Sequence, residues 1–107
     1  MNTGVVSRRY AKALLAYVKA VKKEDRVYEE VKMLASYFER VAGLRHAVEN
    51  PVLDIPTKLK LLREAAGGAK VSQELMRFFS LVLEEKREKF LQFMTWSYID
   101  LYLSLIH

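Results

Sequence analysis

The chain has 107 residues, of which 51% are apolar and 29% are charged, and its net charge at pH 7 is +5. This length suffices for one hydrophobic core, and the composition is that of a folded domain rather than a disordered segment. Cysteine is absent, and the two histidines, His46 and His107, are far apart in the sequence. Disulfides, thiol catalysis and a histidine-based metal site are therefore excluded.

The residue usage predicts an all-α protein. There are only four glycines and two prolines, and the commonest residues favour helix. Apolar and polar residues nowhere alternate for long enough to indicate a strand. We predict a six-helix bundle in which one helix is short. The predicted helices span about residues 5–21, 24–41, 44–49, 54–66, 73–85 and 88–107.

The predicted boundaries depend on turn and cap residues. Gly43 is predicted to end the second helix, and Pro51 the short third one. Asp54 is predicted to cap the fourth helix, which Gly67 ends. Ser72 is predicted to cap the fifth helix. The last helix contains too many polar residues to span a membrane, and residues 1–6 do not form a secretory signal.

The first and fifth helices have unusually wide apolar faces. On a helical wheel these faces cover roughly 240° and 220°, whereas a helix on one side of a core needs little more than about 100°. Either both helices are fully buried, or they form a hydrophobic groove that accepts another helix. The sequence leaves both explanations open.

The positive charge is concentrated at the start of the chain. Residues 1–26 contain seven basic and two acidic residues, whereas residues 27–107 contain 11 of each. Such a basic helix attracts nucleic acid, an anionic membrane or an acidic protein surface.

We find no residue pattern for catalysis. The sequence has no metalloprotease motif, no phosphate-binding loop and no supported nucleophile triad. The adjacent carboxylates at 24–25, 29–30 and 84–85 lie on predicted polar faces, so we interpret them as solvated charges. The segment 67–70 lacks the upstream glycine and the strand of a phosphate loop. We therefore expect no catalytic residue, no cofactor and no metal.

Four segments, in order, resemble the N-terminal domain of the ATP synthase delta subunit, called the oligomycin-sensitivity-conferring protein in mitochondria. The first is RRYAKALLAYV at residues 8–18. The second is Glu49-Asn50-Pro51, with Lys58 after it. The third is SQELMRFFSLVLEEKR at residues 72–87. The last comprises three residues of the final helix: Tyr98, Leu101 and Tyr102.

The resemblance implies a six-helix bundle and a stator function without catalysis. In this family the domain lies on the catalytic head of a proton-translocating ATP synthase. It binds the N-terminal helix of an alpha subunit in a groove between helices 1 and 5. A second domain joins the b subunit of the peripheral stalk, at the cytoplasmic face of the bacterial inner membrane. We expect no nucleic-acid binding and no direct membrane insertion.

Eight residues are predicted to bind the alpha-subunit helix. The family motif indicates Tyr10, which offers a flat apolar face, and Ala13, which allows a helix to approach closely. The helical wheel adds the other six: Val6, Tyr17, Leu75, Phe78, Phe79 and Val82.

The chain departs from the family in two respects. We interpret residues 1–107 as a single N-terminal domain, with the family's second domain absent. The family often has Asn-Gly before the arginine that follows helix 5, where this chain has Glu85-Lys86-Arg87. Two alternatives remain: an RNA-binding helical bundle of the transcription antitermination type, whose first helix is also basic, and a helical interaction module of an unrelated assembly.

Overall fold

The computed structural model describes residues 3–106. This part of the chain contains six α-helices and two short 3-10 turns, joined by loops. No strand occurs in this range, which confirms the predicted all-α class. The helices are α1 (Thr3–Ala20), α2 (Glu24–Arg40), α3 (Ala42–Glu49), α4 (Ile55–Ala66), α5 (Gln73–Glu84) and α6 (Leu91–Leu105).

Local side-chain chemistry sets several boundaries as predicted. The Asp54 carboxylate accepts a hydrogen bond from the Thr57 amide at 2.9 Å, which caps α4. The Ser72 hydroxyl accepts one from the Leu75 amide at 3.3 Å, which caps α5. Each cap satisfies an amide that has no partner inside its helix. Gly67 ends α4 with φ = 142°, a conformation that side chains disfavour.

The end of α2 differs from the prediction. Gly43 does not end this helix, because α2 already stops at Arg40 and Gly43 lies inside α3. Val41 adopts an extended backbone (φ −124°, ψ 93°), and its amide still bonds to the Tyr37 carbonyl. The chain therefore turns without a left-handed residue, and no glycine is needed there.

Two other boundaries shift slightly. Helix α1 begins at Thr3, two residues before the predicted start. Residues 88–90 form a 3-10 turn, so α6 begins at Leu91. His107, which the prediction included in the last helix, lies outside the described residues.

Two lysines occupy left-handed positions at helix ends. Lys22 follows α1 with φ = 59°, and Lys86 follows α5 with φ = 58°. In both turns the next amide bonds back across the helix end, from Lys23 to Val18 (2.8 Å) and from Arg87 to Val82 (2.9 Å). This is the geometry in which glycine is preferred. Lysine is less favourable than glycine in this conformation, so each turn keeps its shape at some steric cost.

The packing order leaves α1 and α5 side by side at the surface. Helix α1 packs mainly on α6, α6 also packs on α2, α2 packs on α4, and α4 packs on α5. A single hydrophobic cluster fills the space between them, with Tyr98, Phe79 and Leu34 among its largest fully buried side chains.

Buried polar contacts hold the N-terminal end of α5 in place. The Glu30 carboxylate of α2 accepts hydrogen bonds from the Ser72 amide (2.8 Å) and the Ser72 hydroxyl (2.7 Å). Lys23 forms an ion pair with Glu74 at 3.2 Å. Contacts with α2 and with the turn before α2 thus help to position the start of α5.

Candidate functional site: the groove between α1 and α5

An open apolar groove of about 280 Å³ lies between α1 and α5. From Tyr10 to Tyr17 the α1 side extends over two helical turns, or about 10 Å. The lining residues of α1 are Tyr10, Ala13, Leu14 and Tyr17, and those of α5 are Arg77, Phe78 and Leu81.

A hydrogen bond crosses the groove at each end. At one end the Arg77 guanidinium donates to the Tyr17 hydroxyl at 3.1 Å. At the other end the Tyr10 hydroxyl donates to the Glu85 carboxylate. Partial burial, followed by this bond to Glu85, raises the pKa of Tyr10 above its ordinary value. The two bonds hold both tyrosine rings along the groove.

Four of the eight predicted residues line this groove, namely Tyr10, Ala13, Tyr17 and Phe78. Ala13 and Tyr17 are exposed, Tyr10 is half-buried and Phe78 is buried. Along α1, the small alanine side chain stands between the larger side chains of Tyr10 and Tyr17. These four side chains are brought together by the tertiary structure.

The other four predicted residues lie beneath the surface. Val6, Leu75, Phe79 and Val82 are each at most 3% exposed, and they are part of the core. They point from the same two helices toward the centre of the bundle, so in this structure they support the groove and do not line it.

Sequence reasoning did not select three of the lining residues, namely Leu14, Arg77 and Leu81. Leu81 is 45% exposed although it belongs to the wide apolar arc of α5. The unusual width of that arc is the sequence feature that could have identified Leu81 as a lining residue. Arg77 is charged, so the apolar pattern of α5 gives no signal for it, and only the approach of Tyr17 from another helix shows that it lies in the groove.

A larger depression, of about 470 Å³, lies between α2 and the segment after α4. Two of its charged residues have structural contacts. Arg26 donates to the Lys70 carbonyl, and Glu30 holds Ser72. The groove between α1 and α5 has one charged residue in its lining and two exposed apolar walls, so it is the better match to an apolar ligand.

Within residues 3–106, no three metal-ligating side chains come together. No helix in that range is long and apolar enough to cross a membrane. Taken with the geometry above, the fold and the site define a helical-bundle domain with an exposed, helix-sized apolar groove.

The comparison with known families agrees with this class. The model of the ATP synthase delta (OSCP) subunit family matches residues 6–105, and the chain belongs to this family. No solved structure matches the chain significantly.

Several curated relatives are named ATP synthase subunit delta. The chain is 65% identical to that of Phocaeicola vulgatus over 102 residues, which is 95% of this chain and 55% of the relative. It is 47% identical to that of Parabacteroides distasonis, covering 95% of this chain and 56% of the relative. For Bacteroides thetaiotaomicron the identity is 44%, with 100% and 58% covered. The chain thus spans little more than half the length of these relatives.

Proposed function

We propose that this chain is the alpha-subunit-binding domain of a peripheral-stalk subunit of a proton-translocating ATP synthase. In this proposal it is a non-catalytic stator component that binds the N-terminal helix of an alpha subunit in the groove between α1 and α5. It links the catalytic head to the stalk, so that the head does not turn with the rotor.

The observation that carries the proposal is the shape of the groove. One wall comes from α1 and the other from α5, and the α1 wall carries a small residue, Ala13, between Tyr10 and Tyr17. Amphipathic helices bind in such grooves by placing side chains at i, i+3, i+4 and i+7 between the walls. The alpha-subunit helix is the partner that the resemblance to the delta subunit implies, and the family match supports that resemblance.

The length of the relatives limits which contacts we propose for this chain. We assign the contact with the b subunit to the part of the family's subunit that the matched region does not cover. The proposed location is the cytoplasmic face of the bacterial inner membrane, as a peripheral part of the complex. The domain itself contacts the head.

Calorimetric titration with the N-terminal peptide of the alpha subunit tests this function. The unaltered domain is expected to bind the peptide, and Ala13→Asp is expected to abolish binding, because a charged side chain would stand where the partner helix approaches. Heat is the appropriate readout, since Trp96, the only tryptophan, is on α6 and does not line the groove.

A matched control is Ala42→Asp, which adds the same charge at an exposed position in the first turn of α3. This variant is expected to bind like the unaltered domain. Absence of peptide binding by the unaltered domain would contradict the proposal. Tight RNA binding that weakens steeply with salt would instead favour the antitermination-type alternative.

A further inference from the structure

Arg77 is the one charged residue that lines the groove. Its guanidinium donates to the Tyr17 hydroxyl at 3.1 Å. It makes no ion pair with a carboxylate within residues 3–106, and the nearby Glu74 is already paired with Lys23. A guanidinium has five N–H donors in a fixed plane, and the bond to Tyr17 uses one of them, so further donors can reach an acceptor on a partner.

The contact with Tyr17 fixes the position of the Arg77 guanidinium group. Arg77 comes from α5 and Tyr17 from α1, so the bond crosses the groove and holds the guanidinium at its end. A preorganised arginine loses less side-chain entropy when it binds an anion. A carboxylate is the acceptor that its two parallel N–H groups match best.

The exposed basic residues of α1, which lie outside the lining of the groove, are a second observation. Arg9, Lys12 and Lys19 are exposed on α1 and, like Arg77, form no ion pair with another described residue. By contrast, Arg8 is paired with Asp100 at 3.4 Å. The unpaired charges create a positive potential on the α1 side, which favours the approach of an acidic partner.

We infer that the helix that occupies the groove carries a carboxylate that binds Arg77 at the Tyr17 end. The partner is therefore an amphipathic helix with an apolar face and an aspartate or glutamate at the edge of that face. Arg77 then determines specificity and register, while the apolar walls contribute the bulk of the contact area. This inference rests on the proposed function.

A charge-swap experiment with the alpha-subunit N-terminal peptide tests the inference. Arg77→Gln is expected to weaken binding by about tenfold, the typical effect of losing one charge-assisted hydrogen bond. Arg77→Glu is expected to weaken it further. Among peptides in which single carboxylates are changed to lysine, one is expected to recover most of the affinity for Arg77→Glu while binding the unaltered domain poorly.

Arg63→Gln is the matched control, since Arg63 is an exposed arginine of α4 that does not line the groove. It is expected to change the affinity by less than about twofold. The inference is overturned if no charge-reversed peptide recovers binding to Arg77→Glu. It is also overturned if Arg77→Gln and the loss of each peptide carboxylate combine additively, since residues in contact show a coupling energy.

The Ala13→Asp variant separates this inference from the proposed function. If Ala13→Asp blocks the peptide and Arg77 shows no coupling, the groove remains the binding site and only the carboxylate contact is overturned. If Ala13→Asp binds normally, the peptide lies elsewhere and both are overturned.

Discussion

The two apolar sides of α1 have different fates in the folded protein. On the side that faces α6, Ala11 and Val18 are completely buried. On the side that faces α5, Ala13 and Tyr17 remain exposed. The first side supplies stability through complete removal of apolar surface from water. The second leaves apolar surface exposed next to a groove, where a partner can bury it.

Two tyrosines make the contrast concrete. Tyr98 is fully buried on α6, and its hydroxyl donates to the Glu24 carbonyl at 2.9 Å. Tyr17 is 37% exposed at the end of the groove, and its hydroxyl accepts from Arg77. Both bonds join different helices, but only the first lies in the packed interior. We call the packed interior the closed side and the groove the open side. The contrast predicts that changes on the closed side reduce stability, whereas changes on the open side reduce binding.

The largest expected effect tests the closed side. Tyr98→Ala is expected to lower the free energy of unfolding by about 3–5 kcal/mol, because it leaves a cavity and removes the hydrogen bond to the Glu24 carbonyl. Tyr17→Ala is the comparison variant, and it is expected to lower the free energy of unfolding by less than about 1 kcal/mol. Urea denaturation of both variants measures the difference, and equal losses would show that the packed interior and the groove do not differ in this way.

The next effect tests what holds α5 in place beside α1. Glu30→Ala removes the acceptor of the Ser72 amide and hydroxyl. Since a buried amide would lose its partner, we expect a loss of about 1–3 kcal/mol in the free energy of unfolding. Glu29→Ala is the control, because Glu29 is exposed and pairs only with Lys32 one turn away. Its expected cost is about 0.5 kcal/mol or less.

A smaller effect concerns the turn that follows the groove wall. Lys86→Gly is expected to raise the free energy of unfolding by about 0.5–1 kcal/mol, because glycine adopts the left-handed conformation at φ = 58° without a steric penalty. Lys60→Gly in the middle of α4 is expected to lower it by about 1 kcal/mol. Thermal or urea unfolding of the two variants measures the direction of each change in stability. If Lys86→Gly is less stable than the unaltered protein, the lysine makes a contact that stabilises the fold by more than the backbone strain costs.

The smallest expected effect appears only at alkaline pH and again belongs to the closed side. The hydrogen bond that Tyr102 donates to Asp25, together with burial, raises the pKa of Tyr102 to about 12, from 10.0. The folded state therefore holds this proton more tightly than the unfolded state does. Its contribution to stability is complete below about pH 10 and is lost as the pH rises through about 12.

Removing the Tyr102 hydroxyl tests whether its proton contributes to the loss of stability at alkaline pH. The urea midpoint of Tyr102→Phe is expected to fall less steeply between about pH 10 and 12 than that of the unaltered protein. Burial also raises the pKa of Tyr98, so some alkaline decline remains in the variant. An unchanged slope would indicate that Tyr102 does not hold its proton through Asp25.

The sequence was a good guide where neighbouring residues decide the structure. Asp54, Ser72 and Gly67 act on atoms within a few residues of themselves, so their positions predicted the start and end of α4 and the start of α5. Gly43 was misleading because a glycine does not by itself require a left-handed turn, and Val41 reversed the chain without one.

For the groove, the sequence indicated the two helices but not which of their residues face outward. A wide apolar arc shows that a helix has more apolar surface than one core needs. It does not show where the buried part ends. Phe78 and Phe79 are adjacent in sequence, yet Phe78 lines the groove while Phe79 lies in the core.

By itself, the sequence determined the helical class, most helix boundaries, the basic character of α1 and the family resemblance. These properties follow from composition, local capping and residue order, which need no information on distant contacts. Only the tertiary structure decided which face of each helix was covered. It separated Val6 and Val82 from Ala13 and Tyr17, and it brought Arg77 to Tyr17. Those outcomes depend on how the helices pack against one another, which no local pattern specifies.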